Sequence, residues 1–194
     1  MLACYGVSSL ISCRGCSLEK GCIIEAVVKR INKKELPMTA AADLYSKDLY
    51  VSPVKTNWLE WLEIDLMGLD DCQVECNGMS WAVSYLLDQS GIKHECMLGY
   101  VKSEHTGEAV TPHYWVALPG GWIIDLRLRL WLGDTDDVPH GLFHTSDAAW
   151  LGMQYEGNPV PRTGVEFTRD YLMDMTSEEV SHVKLSPPPS EFKC

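Results

Sequence analysis

Cys76-Asn77-Gly78-Met79-Ser80-Trp81-Ala82-Val83-Ser84-Tyr85-Leu86-Leu87 reads as a helix that starts on a cysteine and stops at Gly91. Working outward, Lys93 to Val101 reads as a strand, and Ser103 to Ala109 as a polar turn. Thr111-Pro112-His113-Tyr114-Trp115-Val116-Ala117-Leu118 is a second strand. After the Gly120-Gly121 turn a third strand, Trp122 to Leu128, carries Asp125. The two later strands form an expected hairpin. The pattern therefore predicts an α+β fold with one helix packed on an antiparallel sheet.

Cys76, His113 and Asp125 each sit where a catalytic part would be useful. A thiol attacks as the thiolate, and the first turn of a helix lowers its pKa through unpaired N–H groups and the positive dipole end. An imidazole at His113 would complete the activation as ion-pair partner or general base. Asp125 would take the other ring N–H and fix the tautomer. The N–H groups of Cys76 and Asn77 are candidate oxyanion donors, and the side-chain amide of Gln73 is a third. Taken singly, each residue has a plainer reading. A helical cysteine is often a small buried hydrophobe, a strand histidine a satisfied core residue, and Asp125 an ion-pair partner for nearby Arg127. One helix and two successive strands bearing all three favour chemistry. Cys72, four residues before Cys76, is the rival nucleophile; the distance to Gly91 favours Cys76.

Beyond these residues, Leu86-Leu87, Gly91-Ile92 and Gly99-Tyr100-Val101 follow the cysteine helix. Together with His113-Tyr114-Trp115-Val116 and Gly120-Gly121-Trp122-Ile123-Ile124-Asp125, this run resembles the core of the transglutaminase-like superfamily. The resemblance covers about residues 70 to 130, roughly a third of the chain. It implies a papain-like core and acyl transfer through a thioester at Cys76, with His113 as base and Asp125 as orienter. Tyr114, where that superfamily commonly has alanine, and the compact Asn77-Gly78 pair depart from its pattern and alter the channel walls. Three functions stay open: hydrolysis of an amide as a thiol protease or deamidase; transglutaminase-like or acetyltransferase-like transfer to an amine; or a non-catalytic binding module. Hydrolysis of a protein or peptide substrate is the leading expectation.

The flanks are read from the residues alone. Ser17 to Ile31 has helical spacing, and Pro37 to Tyr50 a second short helix. Trp58 to Met67 is ambiguous between helix and strand. Gly133 to Gly141 is a loop, Ser146 to Met153 a short helix, and Gly164 to Leu172 a further strand. The expected organisation is one domain over residues 1–185 with a helical N-terminal region. A proline-rich flexible tail, 186–194, would follow it.

The 194 residues include 16 Lys and Arg against 27 Asp and Glu, a net charge of −11 that disfavours a nucleic-acid partner. No apolar run is long enough to span a bilayer, so no membrane partner is expected. The N-terminus lacks the basic and apolar regions of a secretory signal. The eight cysteines are then expected as reduced thiols in a cytoplasmic protein. Cys13-Arg14-Gly15-Cys16 has a zinc-knuckle spacing but no second knuckle, with Cys4 and Cys22 isolated. Neither a metal nor a cofactor is expected, and the oligomeric state is not encoded in any motif.

Overall fold

A computed structural model of the chain describes residues 50–161 and 169–194, all within one compact unit, Lys47–Cys194. The expected helix at 17–31, all but Tyr50 of the one expected at 37–50, and the cysteines at 4, 13, 16 and 22 lie outside the described residues. Helix α1 spans Asn57–Met67, which settles the ambiguous segment as helix. Thr56 caps it by accepting from the Leu59 N–H, and Leu59, Leu62 and Leu66 form its buried stripe. Helix α2, Cys76–Gln89, is the expected cysteine helix. Gly91 follows it with φ 65°, a left-handed conformation that glycine adopts without strain.

Five strands follow: β1 (Glu95–Ser103), β2 (Ala109–Leu118), β3 (Trp122–Asp125), β4 (Gly141–His144) and β5 (Met153–Pro159). They make one antiparallel sheet in the order β4-β3-β2-β1-β5. The fold is α+β. The β2–β3 hairpin turns through Gly120 and Gly121, both at positive φ. A Cβ at Gly121 would also press on the His144 ring, whose Nε2 meets the Gly120 carbonyl at 3.0 Å. Between β1 and β5, Gly99 faces Gly157. A side chain at Gly99 would collide with the Glu156 carbonyl, and one at Gly157 with the Trp115 ring. The backbone of β5 therefore comes close enough to lay its side chains over β2.

Alternation along the strands divides the core in two. Val116, Leu118, Trp122 and Ile124 join Leu59, Leu62, Leu66, Met79, Val83 and Leu87 from the two long helices in one cluster. Trp115, Ile123, Phe143, Met153 and Ala148 belong to a second cluster, with Ala148 supplied by helix α4, Thr145–Trp150. Each cluster removes several large side chains from water, worth about 25 cal/mol per Å² of apolar area.

Three parts of the chain differ from the sequence expectations. The strand expected to run to Leu128 ends at Asp125, and a short helix, α3 (Arg129–Leu132), follows. The strand expected over 164–172 is replaced, where described, by helix α5, Arg169–Met175, with Leu172 on its buried side. The last strand of the sheet is instead Met153–Pro159, whose alternation of Met153 and Tyr155 with exposed Gln154 and Glu156 is period two. After the short helix α6, Glu179–His182, the proline-rich end runs extended but docked. Phe192 is buried against Trp58, ring centroids 4.7 Å apart, and its carbonyl accepts from the Lys93 N–H at 2.7 Å. Pro187-Pro188-Pro189 thus serves as a stiff spacer that delivers an apolar anchor.

Candidate active site

Loop residues Leu69 to Glu75 lead into α2 and are held by one buried side chain. Arg127, 2% exposed, donates from all of its guanidinium nitrogens. Nε reaches the Val74 carbonyl at 2.8 Å, and one Nη reaches Leu69 and Cys72 carbonyls at 3.2 and 2.8 Å. The other Nη serves Leu126 and Asp70. The plain reading of Asp125 as an ion pair with Arg127 is therefore replaced. The guanidinium turns to the loop, and of Arg127 only the backbone N–H reaches Asp125, at 2.9 Å.

That loop presents Cys76 as the first residue of α2. Glu75, the N-cap, makes no side-chain capping bond, so the first-turn N–H groups are not consumed by a cap. Asn77 Oδ1 takes only the Gly78 N–H, at 2.7 Å. Cys76 is buried, and burial pushes its thiol pKa up. Hydrogen bonding and charge from His113, with N–H groups of Tyr114 and Asn77, outweigh that, and the thiol lies below its ordinary value. Cys72 is the contrast. Burial pushes its thiol up and Arg127 only partly offsets this; its Sγ donates to the Thr176 carbonyl at 3.8 Å. Of the two cysteines, only Cys76 is electronically prepared as a nucleophile.

His113 is fully buried, with Nε2 2.7 Å from Asp125 Oδ2. Burial alone would lower its pKa, but the Asp125 hydrogen bond, then Cys76, raise it to about 9. Nδ1, the ring nitrogen away from Asp125, meets no partner with formed hydrogen-bond geometry among the described residues. The imidazole lowers the thiol pKa and the thiol raises that of the imidazole, and with Nε2 on Asp125 this leaves Nδ1 as the nitrogen that faces the sulfur. The pair titrates as a unit in which thiolate and imidazolium stabilise each other. Trp115 stacks on His113 at 6.1 Å and 21°, an apolar lid over the ring.

Asp125 is 2% exposed and satisfied on both oxygens. Oδ1 accepts the Arg127 and Leu128 N–H groups at 2.9 and 3.1 Å, a turn that ends β3. Oδ2 accepts from His113 and from the Tyr155 hydroxyl at 3.0 Å. Tyr155 is a member the sequence reading missed, because β5 was missed.

A cleft of about 510 Å³ opens on Cys76. Asn77, Tyr114, Pro112 and Trp131 line it, with the carboxylates of Glu75 and Glu108 and, among the described residues, no lysine or arginine. Gln73, the third candidate oxyanion donor, is exposed and absent from this lining; its amide reaches the Asp71 carbonyl at 3.4 Å. The Tyr114 N–H approaches the sulfur in its place. His140, in the loop before β4, and His144, the last residue of β4, serve Asp70 and the β2–β3 turn respectively. Among the described residues no three His, Cys, Asp or Glu side chains gather as a metal-binding group, and no helix is long and apolar enough to cross a membrane. An acidified thiol, an oriented imidazolium and an open cleft are together equipped for nucleophilic attack on a carbonyl carbon. Comparison with family models, curated proteins and solved structures returns no match.

Proposed function

We propose that the protein is a cysteine-dependent hydrolase of amide bonds, a peptidase or side-chain deamidase built on a papain-like core. The observation that carries this reading is the buried His113–Asp125 pair, 2.7 Å, whose imidazole acidifies the Cys76 thiol at the floor of an open cleft. The Cys76 Sγ thiolate attacks the amide carbonyl carbon, and the π electrons move to oxygen. Backbone N–H groups at the start of α2 stabilise that oxyanion. As the C–N bond breaks, the imidazolium Nδ1 gives its proton to the departing nitrogen, leaving a thioester and a neutral ring. Nδ1 then takes a proton from water as the oxygen attacks the thioester carbon. Collapse releases the carboxylic acid and restores the thiolate–imidazolium pair.

Among the described residues the cleft walls carry two carboxylates and no basic side chain, so neutral or basic peptides approach more easily than acidic ones. The test is the alkylation rate of each cysteine by iodoacetamide against pH, read by peptide mass spectrometry, in wild type and His113→Ala. Cys76 is expected to label rapidly well below pH ~8.5, the unperturbed thiol value, and about tenfold or more slowly at neutral pH without His113. Equal labelling of Cys76, Cys72 and Cys194 would remove the enzyme reading.

A further inference from the structure

We infer that Tyr155 is a positioning residue of the acid–base pair: its hydroxyl, donated to the Asp125 oxygen that holds His113, limits how tightly the carboxylate keeps the imidazolium proton. The inference rests on the reading of Cys76 and His113 as nucleophile and base. It comes from how the Asp125 acceptors are divided. Oδ1 is pinned by two backbone N–H groups and would hold the carboxylate in place unaided. The Tyr155 O–H is therefore not needed as an anchor. It lands instead on Oδ2, beside the His113 Nε2 contact. A carboxylate oxygen that accepts a second strong donor is a weaker base toward the first.

The charged and titratable groups around this oxygen are few. His113 and Tyr155 touch it, and Cys76 faces the far side of the imidazole. Arg127 contributes its backbone N–H, while its guanidinium points to the loop before α2. The Tyr155 ring meets Trp115 edge-on at 5.3 Å and Phe143 at 5.8 Å. Burial, and then the Asp125 charge, push the phenol well above the ordinary tyrosine range, so it remains a donor throughout the working pH range. In so sealed a setting one hydrogen bond has a large electrostatic effect.

The chemistry needs such a limit. His113 must release its Nδ1 proton to the departing nitrogen and then accept one from water. An imidazole bound too firmly as imidazolium would do both poorly at neutral pH.

The experiment follows the His113 midpoint by NMR with ring-labelled histidine, in intact wild type, in Tyr155→Phe and in protein with 3-fluorotyrosine at position 155. Phenylalanine keeps the ring packing and removes only the donor; the midpoint is expected to rise from about 9 by about one unit. The fluorinated phenol is a stronger donor, and the midpoint is expected to fall. A midpoint unmoved in both proteins would reduce Tyr155 to packing and overturn the inference, as would a fall in Tyr155→Phe. Cys76 labelling in wild type separates the premise from the inference. Fast labelling with an indifferent midpoint sinks Tyr155 alone. Slow labelling with the expected shifts keeps Tyr155 on the Asp–His pair and removes the nucleophile.

Discussion

The two halves of the site are built on opposite terms. Around Asp125 and His113 the side chains are sealed, and both carboxylate oxygens are satisfied. Around Cys76 the helix start has no side-chain cap, and the cleft wall is formed by exposed Glu75, Asn77, Glu108 and Trp131. The sealed half fixes protonation and geometry, which tolerate little variation. On the proposed reading, the open half is where a substrate would be met. Arg127 joins the halves: its backbone N–H holds Asp125 while its side chain holds the loop that delivers Cys76.

Breaking that joint should give the largest effect. Arg127→Met would take the guanidinium from the Leu69, Cys72, Val74 and Leu126 carbonyls; Leu69 and Cys72 would keep the Cys72 and Val74 backbone N–H groups, while Val74 and Leu126 would lose the donor shown for them. Unsatisfied buried groups cost about 1–3 kcal/mol each, although relaxation and entering water recover part. A loss of at least about 3 kcal/mol in urea unfolding is expected, with Cys76 losing its preferential labelling. Retained stability would mean that the loop holds itself and the halves are independent.

A smaller break stays inside the sealed half. Asp125→Asn keeps the shape but removes the charge that holds the imidazolium. Cys76 labelling near pH 7 is expected to fall by about tenfold, since the thiolate loses its stabilised partner. An unchanged rate would show that the helix start acidifies the thiol unaided.

How much of this division was legible in the sequence follows from the range of the interactions. The helix from Cys76, its stop at Gly91 and the hairpin at Gly120-Gly121 are set by local period and backbone freedom, and the residues state them. The chain order of Cys76, His113 and Asp125 pointed to a site because all three lie on those locally determined elements. Tyr155 was not legible in that way. Its partner lies 30 residues earlier, and nothing in Met153-Gln154-Tyr155-Glu156 names Asp125. The period-two alternation there was a sufficient strand signal, but the short helix was expected to reach Met153 and hid it. Arg127 was hidden for a related reason: nearness to Asp125 offers a pair as the plain reading, while its long-range partners are three carbonyls and the Asp70 carboxylate, 53 to 58 residues away. The prolines of the tail read as a flexible end, and the pocket of Phe192 beside Trp58 is one that only the fold creates.

The coupling between the halves also has a pH signature. The folded imidazole titrates at about 9, above its ordinary ~6.5, so its contribution to stability is complete below ~6.5 and is lost as pH rises through about 9. The folded thiol lies below its ordinary value, so its contribution is complete above ~8.5 and is lost as pH falls through the folded value. The two slopes therefore oppose each other. Cys76→Ala removes the thiol but leaves the Asp125 bond that does most to raise the imidazole, so denaturant titrations of reduced wild type and Cys76→Ala, taken as a difference, isolate the thiol. That difference should increase with pH up to ~8.5 and level off above it. A difference independent of pH would mean that the thiol is not shifted.

The smallest expected effect sharpens the open half. Glu75 and Glu108 flank the cleft, and no basic side chain among the described residues lines it to balance them. Their field reaches the sulfur through water and is screened within about 8–10 Å at physiological salt, so it should modulate entry by only a few-fold. Two alkylating reagents of nearly equal size isolate that term: neutral iodoacetamide and anionic iodoacetate. In wild type the anionic reagent is disfavoured by the carboxylates and favoured by the His113 imidazolium, and the ratio of rates records the balance. Glu75→Gln combined with Glu108→Gln removes only the first influence, so the iodoacetate rate should rise relative to iodoacetamide by roughly threefold at low salt, and less at high salt. A ratio that ignores both glutamates would place the selectivity for neutral or basic groups in the sealed half, and the division of labour between the halves would no longer describe substrate choice.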